Sequence, residues 1–205
     1  MKFRVRHLPA TEFVRRDQLQ RSAPRTDTKV HLSSVIKYML RKIDPRRYGR
    51  DWSKLSDADL LRLEIGYLWE DTVFSPEILA RLYVDSNLIA QPGFVRDGIH
   101  MTPDGYDVLE DTVVEVKFTS MLTAKPDHAK FRHWLWQNKG YCHGLGVTSA
   151  RFIVLFSRGA DAYGLAQPEA YEWRITYTPE ELRRNWRMIL VNRDEMLAEQ
   201  KGEKG

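Results

Sequence analysis

Asp104, Glu115 and Lys117 are the residues of this sequence whose types and spacing point most directly to chemistry. They fall within residues 101–120, MTPDGYDVLEDTVVEVKFTS. In a β-strand, residues two apart share a face, so Glu115 and Lys117 project together while Val114 and Val116 face the opposite side. Asp104 belongs to Thr102-Pro103-Asp104-Gly105, a turn sequence. Antiparallel pairing of 106–109 with 112–116 then brings Asp104 back beside Glu115. Two carboxylates and an ammonium meeting at one end of a sheet suit phosphodiester hydrolysis. Hard carboxylate oxygens hold Mg²⁺ or Mn²⁺ with water completing the shell. Such a cation polarises a phosphoryl oxygen and lowers the pKa of bound water. The ammonium orients that water or offsets charge on the phosphorane. A third carboxylate is expected from a neighbouring helix.

Each of these residues has a competing explanation. Asp104 is also an ordinary turn residue, and Asp107 lies on the strand leading to Glu115. Glu115 sits between valines in a run that reads as buried, where an unpaired carboxylate is costly. Either a metal or Lys117 answers that need, and a plain Glu–Lys ladder on an exposed sheet face is the alternative. On the preceding helix, Glu70 competes with Glu64. Gly66, four residues before Glu70, suggests a close approach of that helix to the sheet.

Other chemistries find little support. His128, His133 and His143 give no i, i+4 pair and no HExxH, so packing or surface roles are expected for them. Trp134 and Trp136 are expected to pack their helix rather than stack on bases. There is no GxSxG, no GxxxxGK[ST], and Cys142 lies mid-helix as the single cysteine. One cysteine also excludes an intramolecular disulfide and a Cys-rich zinc or iron–sulfur site.

The elements that must position these residues follow from periodicity and caps. A helix is expected over 33–43, capped by Ser33 or Ser34 and ended by Asp44-Pro45. A second runs from about Ser56 or Asp57 to Phe74, and Pro76 opens a short third to about Tyr83. Strands are expected at 94–100, 106–109 and 112–118, forming a small antiparallel meander. A helix over 128–144, stopped by Gly144 and Gly146, leads to strands at 151–157 and 171–177. Thr178 as N-cap and Pro179 in the first turn start a last helix reaching about Glu199. The fold class is therefore α/β, a central mixed β-sheet flanked by helices, in one domain over 1–205. Within it, 1–30 is a basic arm, 31–177 the core, and 178–205 the C-terminal helix and tail.

The net charge of +4 is concentrated near the start. Residues 1–25 carry Lys2, Arg4, Arg6, Arg15, Arg16, Arg21 and Arg25 against Glu12 and Asp17, and Arg41, Lys42, Arg46, Arg47 and Arg50 follow. Clustered Lys and Arg suit a polyanion such as DNA, because binding releases counterions from phosphate. A solvated basic surface is the other reading. No apolar run is long enough to span a membrane. The opening MKFRVRHLPATEF lacks the apolar core of a signal peptide, so a cytoplasmic location is expected.

The pattern resembles the PD-(D/E)XK nuclease superfamily, in particular its RecB-like and phage-exonuclease-like branch (lambda exonuclease, YqaJ-like). Beside Pro103-Asp104 and Glu115-Val116-Lys117, Gly66-Tyr67-Leu68-Trp69-Glu70 is similar to the helical Gly-x-x-x-Glu signature of that branch, and Gln137 and Tyr141 match its Gln-x-x-x-Tyr helix. The resemblance covers roughly residues 31–157. It implies a restriction-endonuclease-like core and an Mg²⁺- or Mn²⁺-dependent DNA exonuclease of phage-type recombination or DNA processing. A structure-specific endonuclease and a non-catalytic DNA-binding protein of the same fold are the alternatives. It further implies Glu70, Asp104, Glu115 and the Val116 carbonyl as metal ligands, Lys117 as the catalytic lysine, and Gln137 as a supporting residue. Ser33, Ser34 and Arg41 are loose counterparts of a terminal-phosphate site. A homo-oligomer, a single-strand-binding or annealing partner, and a bacterial or phage-infected host cell fit the same resemblance.

Overall fold

A computed structural model describes residues 29–49, 56–74, 87–119, 131–160 and 166–202. The basic stretch 1–28, the helix expected after Pro76, and His128 lie outside them.

The site rests on strand β6, Thr112–Thr119, whose β-branched run suits a central position. Strand β5, Gly105–Asp107, pairs with it antiparallel, with Gly105 opposite Val114 and Asp107 opposite Thr112. This is the return of Asp104 toward Glu115 expected from antiparallel pairing of these two strands, over the shorter stretch 105–107. Helix α4, Arg132–Leu145, crosses over to β7, Ser149–Ala160, which lies parallel to β6. A parallel neighbour demands such a crossover. β8, Ala166–Thr176, returns antiparallel to β7, and β2, Leu88–Ala90, pairs with β5 at the other edge. The order β2-β5-β6-β7-β8 is a mixed sheet.

Helices cover both faces of that sheet. Helix α1, Leu32–Ile43, lies with α4 and α5, Pro179–Gln200, over the face that carries Val113 and Ala150. Leu32, Val35, Ile36 and Met39 recur at helical spacing and are buried there, against Tyr141, Trp186 and Ile189. Helix α3, Asp57–Val73, packs on the opposite face, where Val73, Trp69 and Phe74 meet Val114, Val116 and Ile153. A four-residue turn of helix, α2 (Pro45–Tyr48), follows Asp44.

Several boundaries differ from expectation for definite reasons. The expected strand 94–100 is a hairpin, β3 (Phe94–Arg96) and β4 (Ile99–Met101). Asp97 and Gly98 take φ of 49° and 73°, the backbone of a two-residue Asp-Gly turn. These strands join β1, Val30–His31, in a separate three-stranded sheet, so the meander does not extend to them. Their place at the edge of the main sheet is taken by β2, which is too short and too weakly patterned to stand out in the sequence. Helix α1 starts at Leu32 and its N-cap, His31, makes no side-chain capping bond, so neither Ser33 nor Ser34 caps it. Gly144 lies inside α4 and does not stop it; a Cβ there would come 2.6 Å from Phe94 and 2.8 Å from Met101, so the hairpin seats directly on the helix backbone. Gly146 ends α4 in the left-handed region, at φ 79°. The last helix begins as expected, with a Thr178–Glu181 capping box and Pro179 in the first turn.

Candidate active site

The side chain of Asp104 finishes the ladder that β5 leaves incomplete. Gly105–Val114 is the last pair on that side, and Pro103 has no N–H to offer. Asp104 Oδ2 instead accepts the Val116 N–H at 2.7 Å. In an antiparallel ladder a residue's N–H and C=O face the same neighbour, so the Val116 carbonyl also points to the Asp104 side. On the far side, the Asp104 carbonyl accepts the Gln91 N–H at 2.9 Å, continuing the register of β2.

Glu115 and Lys117 project from β6 toward α4. The Glu115 side chain is 1% exposed and is bonded to Lys117 through Oε2, while its Oε1 is buried without a hydrogen-bond partner. Lys117 Nζ also stands 3.4 Å from Asp104 Oδ2, so the ammonium touches both carboxylates. Burial and the charge of Asp104 push the Glu115 carboxyl up, against the lowering effect of Lys117. Burial draws the Lys117 ammonium down, but Asp104 and Glu115 outweigh it and the net shift is upward. Lys117 is therefore cationic at neutral pH.

Glu70 comes from α3, on the opposite face of the sheet from α4. Its carboxyl is raised by burial and by the charge of Asp104, and lowered by Lys117 and by a 3.4 Å hydrogen bond from Gln91 Nε2. Glu70 is thus within electrostatic reach of Asp104 and Lys117. Gly66 faces Phe118 of β6, but a Cβ there would meet Phe118 Cβ at 3.7 Å, an ordinary contact. The helix does approach the sheet, yet not so closely that glycine is required.

The other rival, Asp107, lies on the opposite face from Glu115. It is fully buried, its Oδ1 accepts the N–H groups of Leu109 and Glu110 at 3.1 Å, and its Oδ2 is 3.8 Å from the buried Arg151 guanidinium. Arg151 also pairs with Glu110 and, at 3.6 Å, with Glu172. Asp107 therefore shapes the 108–111 turn and neutralises Arg151.

Gln137 does not bond the acidic groups. Its Nε2 donates to Tyr141 Oη at 2.7 Å, and Tyr141 is buried between α4 and the site. Burial and the Glu115 charge raise the Tyr141 hydroxyl strongly, so it stays protonated. Cys142, adjacent and buried, is raised by burial and Glu115 and is no nucleophile. The aromatic and histidine residues of α4 pack: Trp134 stacks on Phe131 at 4.5 Å and His143 on Trp186 at 5.0 Å. Ser34 and Arg41 line a cavity of about 410 Å³ between α1 and α5, where Glu199 accepts a hydrogen bond from Tyr38. That carboxylate disfavours a phosphate there.

The donor set fits a hard divalent cation. It is all oxygen, and the unpartnered Glu115 Oε1 is a buried acceptor that a cation would satisfy. Among the described residues no three His, Cys, Asp or Glu side chains gather tightly enough to cage an ion by themselves. A cation held here would need ligands besides the side chains of Asp104 and Glu115, and the Val116 carbonyl points to the same side. Two residues of this constellation stand outside the expected set, Gln91 and Tyr141. Tyr141 was legible as the end of the Gln-x-x-x-Tyr spacing. Gln91 carried no sequence signal beyond preceding Pro92-Gly93.

Comparison with known proteins places this geometry in context. No protein-family model matches the chain, and no curated protein matches it. Among solved structures, a phage-related exonuclease from Haemophilus somnus 129PT is similar at a TM-score of 0.50 and 12% identity, with 82% of this chain and 83% of that one covered. The chain shares its fold with that exonuclease. A second structure, SSO0001, is similar at a TM-score of 0.52 and 12% identity, covering 88% of this chain and 85% of its own. In this fold Glu115 and Lys117 sit at the middle of the central strand and Asp104 at the entry to its neighbour β5, with α1, α4 and α5 on one face of the sheet and α3 on the other. No helix among the described residues is long and apolar enough to cross a membrane.

Proposed function

We propose that the chain is a divalent-metal-dependent deoxyribonuclease, acting as one domain and as an exonuclease on linear DNA. The observation that carries this reading is the meeting of Asp104, Glu115 and Lys117 around a buried, unpartnered carboxylate oxygen. Similarity in fold to the phage-related exonuclease from Haemophilus somnus supports the choice of DNA ends as substrate.

Asp104, Glu115 and the Val116 carbonyl would hold Mg²⁺ or Mn²⁺, with Glu70 contributing directly or through water. The ion, when bound, supplies Lewis-acid activation of a phosphoryl oxygen and of water. The protein contributes the rest. The β5–β6 register fixes Asp104 and Glu115 on one side of the reacting phosphate. Lys117, held cationic by both carboxylates, offers a proton donor and a positive charge where charge builds on the phosphorane. Gln137 fixes the Tyr141 hydroxyl, which packs beside Glu115 and keeps that side of the pocket dry. Arg41 of α1 and Arg46 beyond it supply charge for the DNA backbone together with the N-terminal arm, whereas the Lys42 ammonium is taken by Glu195 of α5.

The test is cleavage of linear and closed-circular duplexes with Mg²⁺ or Mn²⁺, comparing wild type with Glu115→Ala and Lys117→Ala. Cutting of linear DNA alone, lost in both variants, is the expected result. Nicking of closed circles would instead identify an endonuclease. Absence of metal-dependent cleavage by the folded protein would leave a DNA-binding protein of the same fold.

A further inference from the structure

Gln91 holds Asp104 with its backbone and Glu70 with its side chain. Its N–H donates to the Asp104 carbonyl at 2.9 Å, and its Nε2 donates to Glu70 Oε1 at 3.4 Å. The register explains the first bond: Leu88 pairs with Asp107 and Ala90 with Gly105, so residue 91 falls opposite Asp104. The second bond crosses from the edge of the sheet to α3. One residue therefore joins the two acidic groups that come from different elements.

The backbone at this position makes the side chain informative. Gln91 has a φ of 46°, in the left-handed region that glycine enters freely and a glutamine enters only at a cost. If residue 91 were needed only to turn the chain toward Pro92, glycine would do so without strain. What glutamine adds is a carboxamide donor aimed at Glu70. That carboxylate is half-buried, where a donor to its oxygen offsets lost water. A neutral amide supplies one without competing as a cation. Strain at an exposed loop residue beside a candidate site is where positioning groups are found.

We infer that Gln91 is a positioning residue: it ties Glu70 to the Asp104 loop, so that carboxylates from α3 and from the sheet edge face one cation. This inference rests on the metal-dependent reading of the same site. Its substrate-side consequence is specific. Gln91 acts on metal affinity and turnover, through Glu70, and leaves DNA binding unchanged.

The test uses the full chain, with Mn²⁺ alone as the binding probe, read by calorimetry, and with kcat and KM measured on a linear duplex. In Gln91→Gly the backbone is relaxed and the donor is gone. The melting temperature in EDTA should stay level or rise. Mn²⁺ affinity should fall by about ten-fold, as for other groups that orient a metal ligand. kcat at limiting metal should fall with it, KM for DNA should hold, and excess Mn²⁺ should restore kcat. On a Glu70→Gln background, Gln91→Gly should have no further effect on Mn²⁺ affinity. Wild-type Mn²⁺ affinity in Gln91→Gly, alongside loss of affinity in Glu115→Gln, would overturn this inference while leaving the site intact. An equal effect of Gln91→Gly with and without the Glu70 carboxylate would also overturn it. No Mn²⁺ binding by the wild-type protein would overturn both this inference and the reading of the site.

Discussion

Glu115 links the stability of the metal-free protein to pH, and the size of the effect follows from its burial. The carboxyl is 1% exposed and is raised from 4.5 to about 8 by burial and the Asp104 charge. A group raised in the folded state stabilises the fold fully below its unfolded pKa, and that stability is lost as pH rises through the folded value. The metal-free protein should therefore lose stability between pH 4.5 and about 8. At about 1.4 kcal/mol per pH unit the ceiling is about 5 kcal/mol. Relaxation and water entry reduce this, and about 2 kcal/mol is expected. Glu70, also raised, acts in the same direction. Lys117 does not oppose the trend, since its stabilisation is fully present below the ordinary lysine value of 10.5. A cation that takes the ionised carboxylates reverses the loss. For a chain of this length, about 2 kcal/mol corresponds to roughly 6 °C. The assay is thermal melting from pH 5 to 8 in EDTA and in excess Mg²⁺. The stabilisation by Mg²⁺ should grow steadily with pH, and Glu115→Gln should flatten both the pH trend in EDTA and the Mg²⁺ effect. A Mg²⁺ effect equal at pH 5 and pH 8, or retained in Glu115→Gln, would refute the reasoning.

The two aspartates should separate by phenotype. Asp107→Ala removes one of the three carboxylates around buried Arg151 and the acceptor of the Leu109 and Glu110 N–H groups, and should cost about 1–3 kcal/mol of stability by chemical denaturation, whereas Asp104→Asn should melt within a few degrees of wild type and lose at least about 100-fold in cleavage rate; the reverse pattern would exchange their roles. Gly66→Ala should stabilise by up to about 1 kcal/mol, because its Cβ meets only an ordinary contact with Phe118 and the helix gains propensity. Gly144→Ala should instead destabilise by about 1–3 kcal/mol, its Cβ overlapping Phe94 and Met101, and equal effects at the two glycines would contradict the packing described for α3 and α4. Duplex affinity should fall steeply with salt, and replacing Arg41 and Arg46 by Ala should make that slope shallower by about 2 on logarithmic axes; an unchanged slope would move the DNA surface elsewhere.

What could be read from the chain follows how local the encoding signals are. The β5–β6 hairpin was legible because the β-branched residues at 112–118 mark the strand and only a short connection separates it from 105–107, and the resulting register sends Asp104 to Glu115. The capping box at Thr178 and the Asp44-Pro45 stop are equally local. Asp107 was harder to separate from Asp104, because what occupies it is Arg151, a residue on β7 whose place beside β5 depends on the whole sheet order. Gly144 read as a helix stop because nothing nearby in sequence shows that Phe94 and Met101 press on it. The Asp97-Gly98 turn is a local signal between two strands of only three residues each. Gln91 depends on a left-handed backbone and on Glu70 twenty-one residues away, neither of which residue type or spacing discloses.

The central claim is that Asp104, Glu115 and Lys117 form one metal-dependent hydrolytic site on DNA ends. Release of nucleotides from an end-labelled linear duplex, titrated with Mg²⁺, tests it most directly. Wild type should release nucleotides only with metal present. Lys117→Ala should bind DNA at wild-type affinity yet lose about 100-fold or more in rate, and Glu115→Gln should show no release at any Mg²⁺ concentration that the wild type needs. Metal-independent release, or wild-type rates in either variant, would contradict the account.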